Sequence, residues 1–330
     1  MNREFTLPAL VGNSSLGFLA ALGVQALCCD LLGDQETQVG WPQGPSLGAV
    51  LRTSAVESVE DLAQKLAEAA STLTSGSYLP LLHAMPPEFF GGAAGTDPLR
   101  EFTVSTGREL AFAALAEPAS ERWITALLAL DEPITEEKRR GSLPVTPFAA
   151  RGPGTVMFYR TLRDLAKVAA DPTEMLSALI FWIRRDSIGG YLDHKAIRDA
   201  SFQASRKDAD NYGVPSAGWL AMMSLAHFPS VTARRDVAVS PCWPRIPYRR
   251  PLFRWPVWQQ MLGSNEISVL LSHPAVAELD PRQVKRCQAL FAALAVSAVY
   301  ESERMEAGNN DGPLGKPVRL WPKPSRPNER

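Results

Sequence analysis

The stretch GNSSLGFLAALGVQALCCDLL, residues Gly12–Leu32, carries no charge before Asp30. Asn13, Ser14 or Ser15 can cap a helix here, because their side-chain oxygens accept the open N–H groups of a first turn. Behind the cap, Leu16, Leu19, Leu22 or Gly23, Ala26 and Leu27 recur at three- and four-residue steps. Phe18, Ala20, Ala21 and Val24 make the other faces almost as apolar, and a helix apolar all round is buried. Gly17 and Gly23 each cost about 1 kcal/mol against Ala in a helix interior, so they are expected where a neighbouring backbone approaches closely. The dense apolar part, Leu16–Cys29, is about 14 residues long, short of the roughly 20 that span a bilayer. Only Arg3, offset by Glu4, precedes it, and no small-x-small cleavage site follows, so the chain reads as cytoplasmic with no membrane partner.

Around this helix, the 330 residues, 45% apolar and 21% charged, have the composition of a globular protein. The net charge of −1 hides an asymmetry. Residues 1–183 hold 13 Lys/Arg against 21 Asp/Glu, a balance of −8, and residues 184–330 hold 21 against 14, a balance of +7. A basic back half suits an anionic partner or an acidic subunit. Cys28, Cys29, Cys242 and Cys287 have no metal-ligand spacing and are expected as reduced, largely buried thiols.

In chain order, Arg3–Leu10 reads as a strand that Pro8 ends or bends. Gln38–Trp41 and Leu47–Thr53 read as a strand pair, and Ser58 as the cap of a second helix with Glu60 and Asp61 in its first turn. Residues 74–106 form a Pro/Gly-rich insert, and Glu132–Arg140 a solvated charged run. Apolar stripes at Trp123, Leu127 and Leu130, at Val156–Val168, and at Met175, Leu179, Trp182 and Ile183 indicate helices. Residues 187–213 read as a loop. Pro215–Phe228 is a further apolar helix; Ile267–Leu271 and Pro281–Glu303 are the last helices. The fold class expected is α+β, predominantly helical, with a small mixed or antiparallel sheet built from the N-terminal and 231–257 segments. Three parts are expected: an acidic α+β part at 1–186, a basic part at 187–307 packed on it, and a flexible basic tail at 308–330.

The enzyme motifs are missing: no G-x-S-x-G elbow, no phosphate-binding GK[ST] loop, no G-x-G-x-x-G after a strand. His83, His194, His227 and His273 show no zinc spacing, so no metal or cofactor is expected. His227, on an apolar helix, reads as a satisfied core histidine. Asp186, Asp193 and His194 lie close in sequence and leave open a small metal-dependent hydrolase as the alternative to a turn with ordinary surface residues.

The strongest candidate site is Val231–Trp258, where Arg234, Arg235, Arg245, Arg249, Arg250 and Arg254 face a single acid, Asp236. Trp243, Tyr248, Phe253, Trp255 and Trp258 interleave with them. Arginines neutralise phosphates, and aromatic rings stack on unpaired bases. The nucleic-acid-binding set taken from this segment is Arg234, Arg235, Arg245, Tyr248, Arg249, Arg250 and Arg254. A protein–protein surface is the rival, since Arg, Trp and Tyr also anchor such interfaces. Burial of Trp255 and Trp258 in the core is the third possibility.

Four segments carry a resemblance. GNSSLGFLAALGVQAL resembles the N-P-L-G-F-L-A-A-L-G-type opening of subunits encoded in type I-G (formerly I-U) CRISPR loci, regarded as large-subunit-like components of the RNA-guided surveillance complex. Phe148–Leu165 stands in the place of an S/T-x-G-x-x-x-F-hydrophobic segment. Pro215–Pro229 resembles G/A-x-W-L-A-x-x-G-L-x-x-F-P, and Phe253–Leu262 resembles an aromatic W-P-x-W turn. Ser14-Ser15 stands where Asn-Pro is usual, and Ser224 or Ala226 where a glycine is usual. The resemblance spans roughly residues 7–272 and carries no catalytic residue. It implies a non-catalytic subunit that contacts guide RNA or target DNA and other CRISPR effector subunits in antiviral defence. A protein-only structural adaptor is a further alternative.

Overall fold

The computed structural model describes residues 2–74, 122, 125–127, 129, 146–148, 158–186, 191–194, 212–234, 237–244, 250–277, 279, 284–307 and 310–322. The insert at 75–106, the charged run at 132–140 and most of 187–211 lie outside them.

The chain opens with strand β1 (Arg3–Val11), whose outer residues alternate between solvent and core. Helix α1 (Ser15–Asp30) follows, with Ser14 as its N-cap: the Ser14 hydroxyl accepts from the Gly17 N–H at 3.3 Å. Every residue from Ser15 to Cys29 is buried, as its all-round apolar sequence requires. Strands β2 (Gln38–Gly40) and β3 (Gly48–Thr53) complete an antiparallel sheet ordered β1-β3-β2. The β1–β3 register shifts between Leu7 and Val11, around Pro8, which has no N–H to give a ladder. Helix α2 (Val59–Thr74) starts at Ser58, whose hydroxyl accepts from Asp61 N–H at 3.1 Å.

Helices α3 (Phe158–Ala169), α4 (Pro172–Ile180) and α5 (Pro215–Met223) form the helical side, and a 3₁₀ turn at Ser224–His227 extends α5. The two glycines of α1 sit where backbones meet. A Cβ on Gly23 would lie 1.7 Å from the Leu220 carbonyl oxygen of α5, and one on Gly17 would lie 2.6 Å from that of Val11. Glycine is what lets α1 and α5 pack with their axes this close.

The rest is β4 (Val231–Arg234) paired with β5 (Val237–Val239), then β6 (Leu252–Trp258), α6 (Ser264–Leu271), α7 (Pro274–Ala277), α8 (Val284–Ala293), β7 (Val296–Ala307), β8 (Asn310–Leu314) and β9 (Val318–Trp321). Strand β7 pairs with β6 on one side and with β8 and β9 on the other. The class is α+β, with helices on small sheets, and every strand pair among the described residues is antiparallel.

Several boundaries differ from the expectation. The N-terminal strands and the 231–257 strands belong to separate sheets rather than one. The Pro281–Glu303 stripe is helical only to Ala293; Ala295 then takes φ +52°, and Val296–Ala307 is a strand. The backbone of β6, buried at every residue, needs a partner for its N–H and C=O groups, and β7 supplies it. The tail, expected to be flexible from 308 on, contributes β8 and β9 through the same pairing. Helix α4 stops at Ile180, short of Trp182 and Ile183.

One apolar core draws on residues from Leu7 to Leu314. At its centre the ring of Phe18 stacks on Trp41 at 5.5 Å and meets Trp258 edge-on at 5.8 Å. Phe253 and Trp255 close the cluster at 6.4 and 6.2 Å from Phe18. Phe148 packs on Phe253 at 5.7 Å and on Phe228 at 5.0 Å. Three indole N–H groups are bonded in this core: Trp41 donates to Leu10 C=O at 3.0 Å, Trp255 to Gly12 C=O at 2.8 Å and Trp258 to Val39 C=O at 2.9 Å.

His227 is a core histidine. Gln25 gives its amide N–H to Thr37 C=O at 3.1 Å, which turns its oxygen toward His227 Nε2 at 3.0 Å. His227 therefore donates from Nε2 as the neutral tautomer. Burial, and secondarily the positive charge of Arg122, lower its pKa from 6.5 to about 4. Arg122 itself is ion-paired with Asp30 at the end of α1. Burial likewise pushes the Cys28 and Cys242 thiols well up and Cys29 to about 11, so all three are inert thiols.

Candidate nucleic-acid interface

The basic-aromatic segment divides. Arg235, Arg245, Tyr248 and Arg249 lie outside the described residues, and Arg234 is placed only as the last residue of β4. Arg250 is exposed, and its backbone N–H donates to Glu303 Oε1 at 3.3 Å. Arg254 does not belong to the interface. It lies on β6 directly opposite Glu301 of β7, with its side chain 4% exposed. Its Nη2 and Nε reach one Glu301 oxygen at 2.6 and 3.1 Å, and Nη1 reaches the Leu279 carbonyl at 3.3 Å. A guanidinium held this way is part of the interior, and no phosphate in solvent reaches it. Trp243, Phe253, Trp255 and Trp258 are equally buried, so these four rings are spent on the core.

A second basic-aromatic surface lies at the head of α1, in a half-open cleft of about 700 Å³. Pro8, Ala9 and Val11 of β1 form one wall, where that strand departs from β3. Asn13 and Ser14, at the start of α1, form its end. The segment after α4 supplies Phe181, Trp182 and Arg184, while Lys316 and Pro317 reach in from the β8–β9 turn and Tyr300 from β7. Asp193 and His194 complete the lining.

The local backbone explains the aromatic wall. Position 182 follows the C-cap of α4 and takes φ +57°, the left-handed region where helices commonly stop on glycine. Here the residue is Trp182. Just before it, Phe181 stands 67% exposed, and Ile183 44%. Tyr191, two residues before Asp193, also has positive φ, +63°. Two aromatic residues in a conformation that costs L side chains roughly 1–2 kcal/mol are held there by their surroundings.

The charges of the cleft are partly paired. Arg184 is ion-paired with Asp193 Oδ2 at 2.7 Å and donates to the Tyr212 carbonyl at 2.6 Å, with its guanidinium carbon 6.0 Å from the Tyr212 ring centroid. Asp193 is buried, and its other oxygen lies 3.7 Å from His194 Nδ1. Lys316 is exposed at the rim.

Of the hydrolase alternative, Asp193 and His194 line this cleft, whereas Asp186 is exposed and does not. Among the described residues no three His, Cys, Asp or Glu side chains gather where they can hold a metal ion. The cleft itself was not visible in the sequence, because Ala9, Ser14, Phe181 and Lys316 are far apart along the chain. The one local signal was an apolar helix that ends on Phe-Trp with no glycine to stop it.

Comparison with protein-family models finds no match. No curated protein matches the chain either. No helix among the described residues is long and apolar enough to cross a membrane.

Proposed function

We propose that this protein is a non-catalytic subunit of an RNA-guided CRISPR surveillance complex of the type I-G kind, contacting guide RNA or target DNA and neighbouring subunits. The observation that carries the reading is the convergence of the four segments behind the resemblance. α1, Phe148, α5 with its 3₁₀ turn, and β6 are far apart in sequence, yet they meet around Phe18, Phe148, Phe228 and Phe253. Segments that pack on one another are retained together as one structural unit, which is what a family pattern spread over weak hydrophobic motifs requires. In such complexes base pairing reads the sequence while protein holds the backbone and a short flanking motif. A subunit with that job needs cationic and aromatic surface and no reacting group.

The test is co-expression of the tagged chain with its gene neighbours and a CRISPR array. Recovery of the chain in a complex that holds RNA of one length supports the reading. Recovery of the chain alone overturns it. The purified chain is also expected to leave labelled DNA, RNA and ATP intact in Mg²⁺ or Mn²⁺. Turnover lost in Asp193→Ala would favour the hydrolase instead.

A further inference from the structure

We propose that the cleft at the head of α1 holds a short unpaired stretch of nucleic acid, with bases on the Phe181–Trp182 wall and a phosphate at Lys316. The inference deepens the subunit reading and rests on it for the ligand's presence, but it assigns a surface outside the Val231–Trp258 segment. Three independent features point to this class of ligand.

The first is Phe181, a phenyl ring 67% exposed at the mouth of a cavity rather than packed in the core. Exposed rings on a rigid helix end are stacking platforms, and stacking tolerates any base because every base has a π-face. The second is the strained backbone of Trp182, with φ +57°. At position 182 glycine would adopt the left-handed conformation without a steric penalty; tryptophan is kept there with one part of its ring packed on the core and the rest on the cleft. Trp182 lines the cleft beside Phe181.

The third is the arrangement of charge. Lys316, an exposed cation, lines the same cleft as Phe181 and Trp182, together with Asn13 and Ser14 at the start of α1, a 16-residue helix. Arg184 is braced by Asp193 and stacks toward Tyr212, so its role is to stiffen the aromatic side. A volume of about 700 Å³ falls within the 300–1,000 Å³ of small-ligand sites. It fits bases splayed from a strand, whereas the duplex is far too wide to enter. An acidic or phosphorylated peptide would use Lys316 but has no need of paired aromatic faces.

The experiment uses the full chain and fluorescein-labelled oligouridine and oligothymidine of about 12 nucleotides, read by anisotropy over a salt series. Binding of either strand, with Phe181→Ala and Trp182→Gly each raising Kd roughly tenfold, supports the proposal. Trp182→Gly relieves the backbone but deletes a ring partly packed on the core, so the exposed Phe181→Ala, whose circular dichroism melt should change little, separates lost binding from lost fold. Lys316→Ala should lower the slope of log K against log salt by about 0.7, the value for one phosphate contact on a single strand. A stronger response with uridine or with thymidine tells which nucleic acid is the ligand. No binding by the wild-type chain overturns the proposal, as does binding that all three variants retain. Competition by a phosphoserine peptide as effective as the unlabelled oligonucleotide also overturns it. A chain that binds the strands through the cleft yet joins no RNA-containing complex in cells would sink the subunit reading and leave the cleft assignment standing.

Discussion

Strand β6 and the α1 cleft are built from the same kinds of residue and meet opposite fates. In β6 the sequence LFRWPVW is buried at every position, and Arg254 is closed off by Glu301. In the cleft Phe181 stands open and Lys316 reaches solvent. The difference lies in what covers each backbone. β6 is paired along its length with β7 and packed against the aromatic cluster of α1, so both its faces are interior. The Phe181–Arg184 segment follows a helix end and has a neighbour on one side only: Trp182 packs partly on the core, while Phe181 and Ile183 face solvent. Arginine and tryptophan in a sequence mark neither a surface nor a core until the partner strands are known.

The sharpest way to break this comparison is Arg254→Ala. It leaves Glu301 buried without its partner and is expected to cost about 3–5 kcal/mol in denaturant unfolding. Replacing both residues by apolar ones of similar volume, Arg254→Met with Glu301→Leu, should recover most of that loss. A variant as stable as the parent but with a lower salt slope for nucleic acid would put Arg254 back on the surface.

His227 tests the depth of the same core through pH. Its pKa in the fold, about 4, lies below the 6.5 of an exposed histidine. Below pH 6.5 the unfolded chain takes up the proton first, so stability is full above 6.5 and falls as pH drops toward 4. The total is on the order of 3 kcal/mol, from about 1.36 kcal/mol per pKa unit. Unfolding measured from pH 7 to 4 should show this extra loss in the wild type and not in His227→Gln. Equal pH dependence in both would mean that the Gln25–His227 contact is wet.

Gly23→Ala is expected to cost about 1–3 kcal/mol, because the added methyl must push α1 away from the Leu220 carbonyl. An unchanged melt would show that the two helices separate freely. The smallest effects belong to the cleft: Phe181→Ala and Lys316→Ala should each shift stability by no more than about 0.5 kcal/mol, as exposed side chains do. A larger loss at Phe181 would mean that the ring is packed, and the contrast with β6 would disappear.

The sequence by itself determined the elements whose reasons are local. The all-round apolar run and its serine cap specify α1, Pro8 sets the bend in β1, and Ser58 with Glu60 and Asp61 sets the start of α2. Gly17 and Gly23 were readable as close approaches because nothing else excuses glycine in a helix. His227 was readable as a core residue from the apolar helix around it. What only the tertiary structure decided depends on partners distant in the chain. Val296–Tyr300 has the apolar content of a continuing helix and becomes a strand because β6 needs its hydrogen bonds. Within the Gly/Pro-rich tail, Asn310–Leu314 and Val318–Trp321 are strands for the same reason, by pairing with β7. Arg254 is interior because Glu301 lies directly opposite, a fact of register that spacing along one strand does not contain. The cleft is made of a strand bend, a helix cap, a left-handed tryptophan and a turn lysine, and only the tertiary structure places β1, the start of α1, the end of α4 and the β8–β9 turn along one cavity.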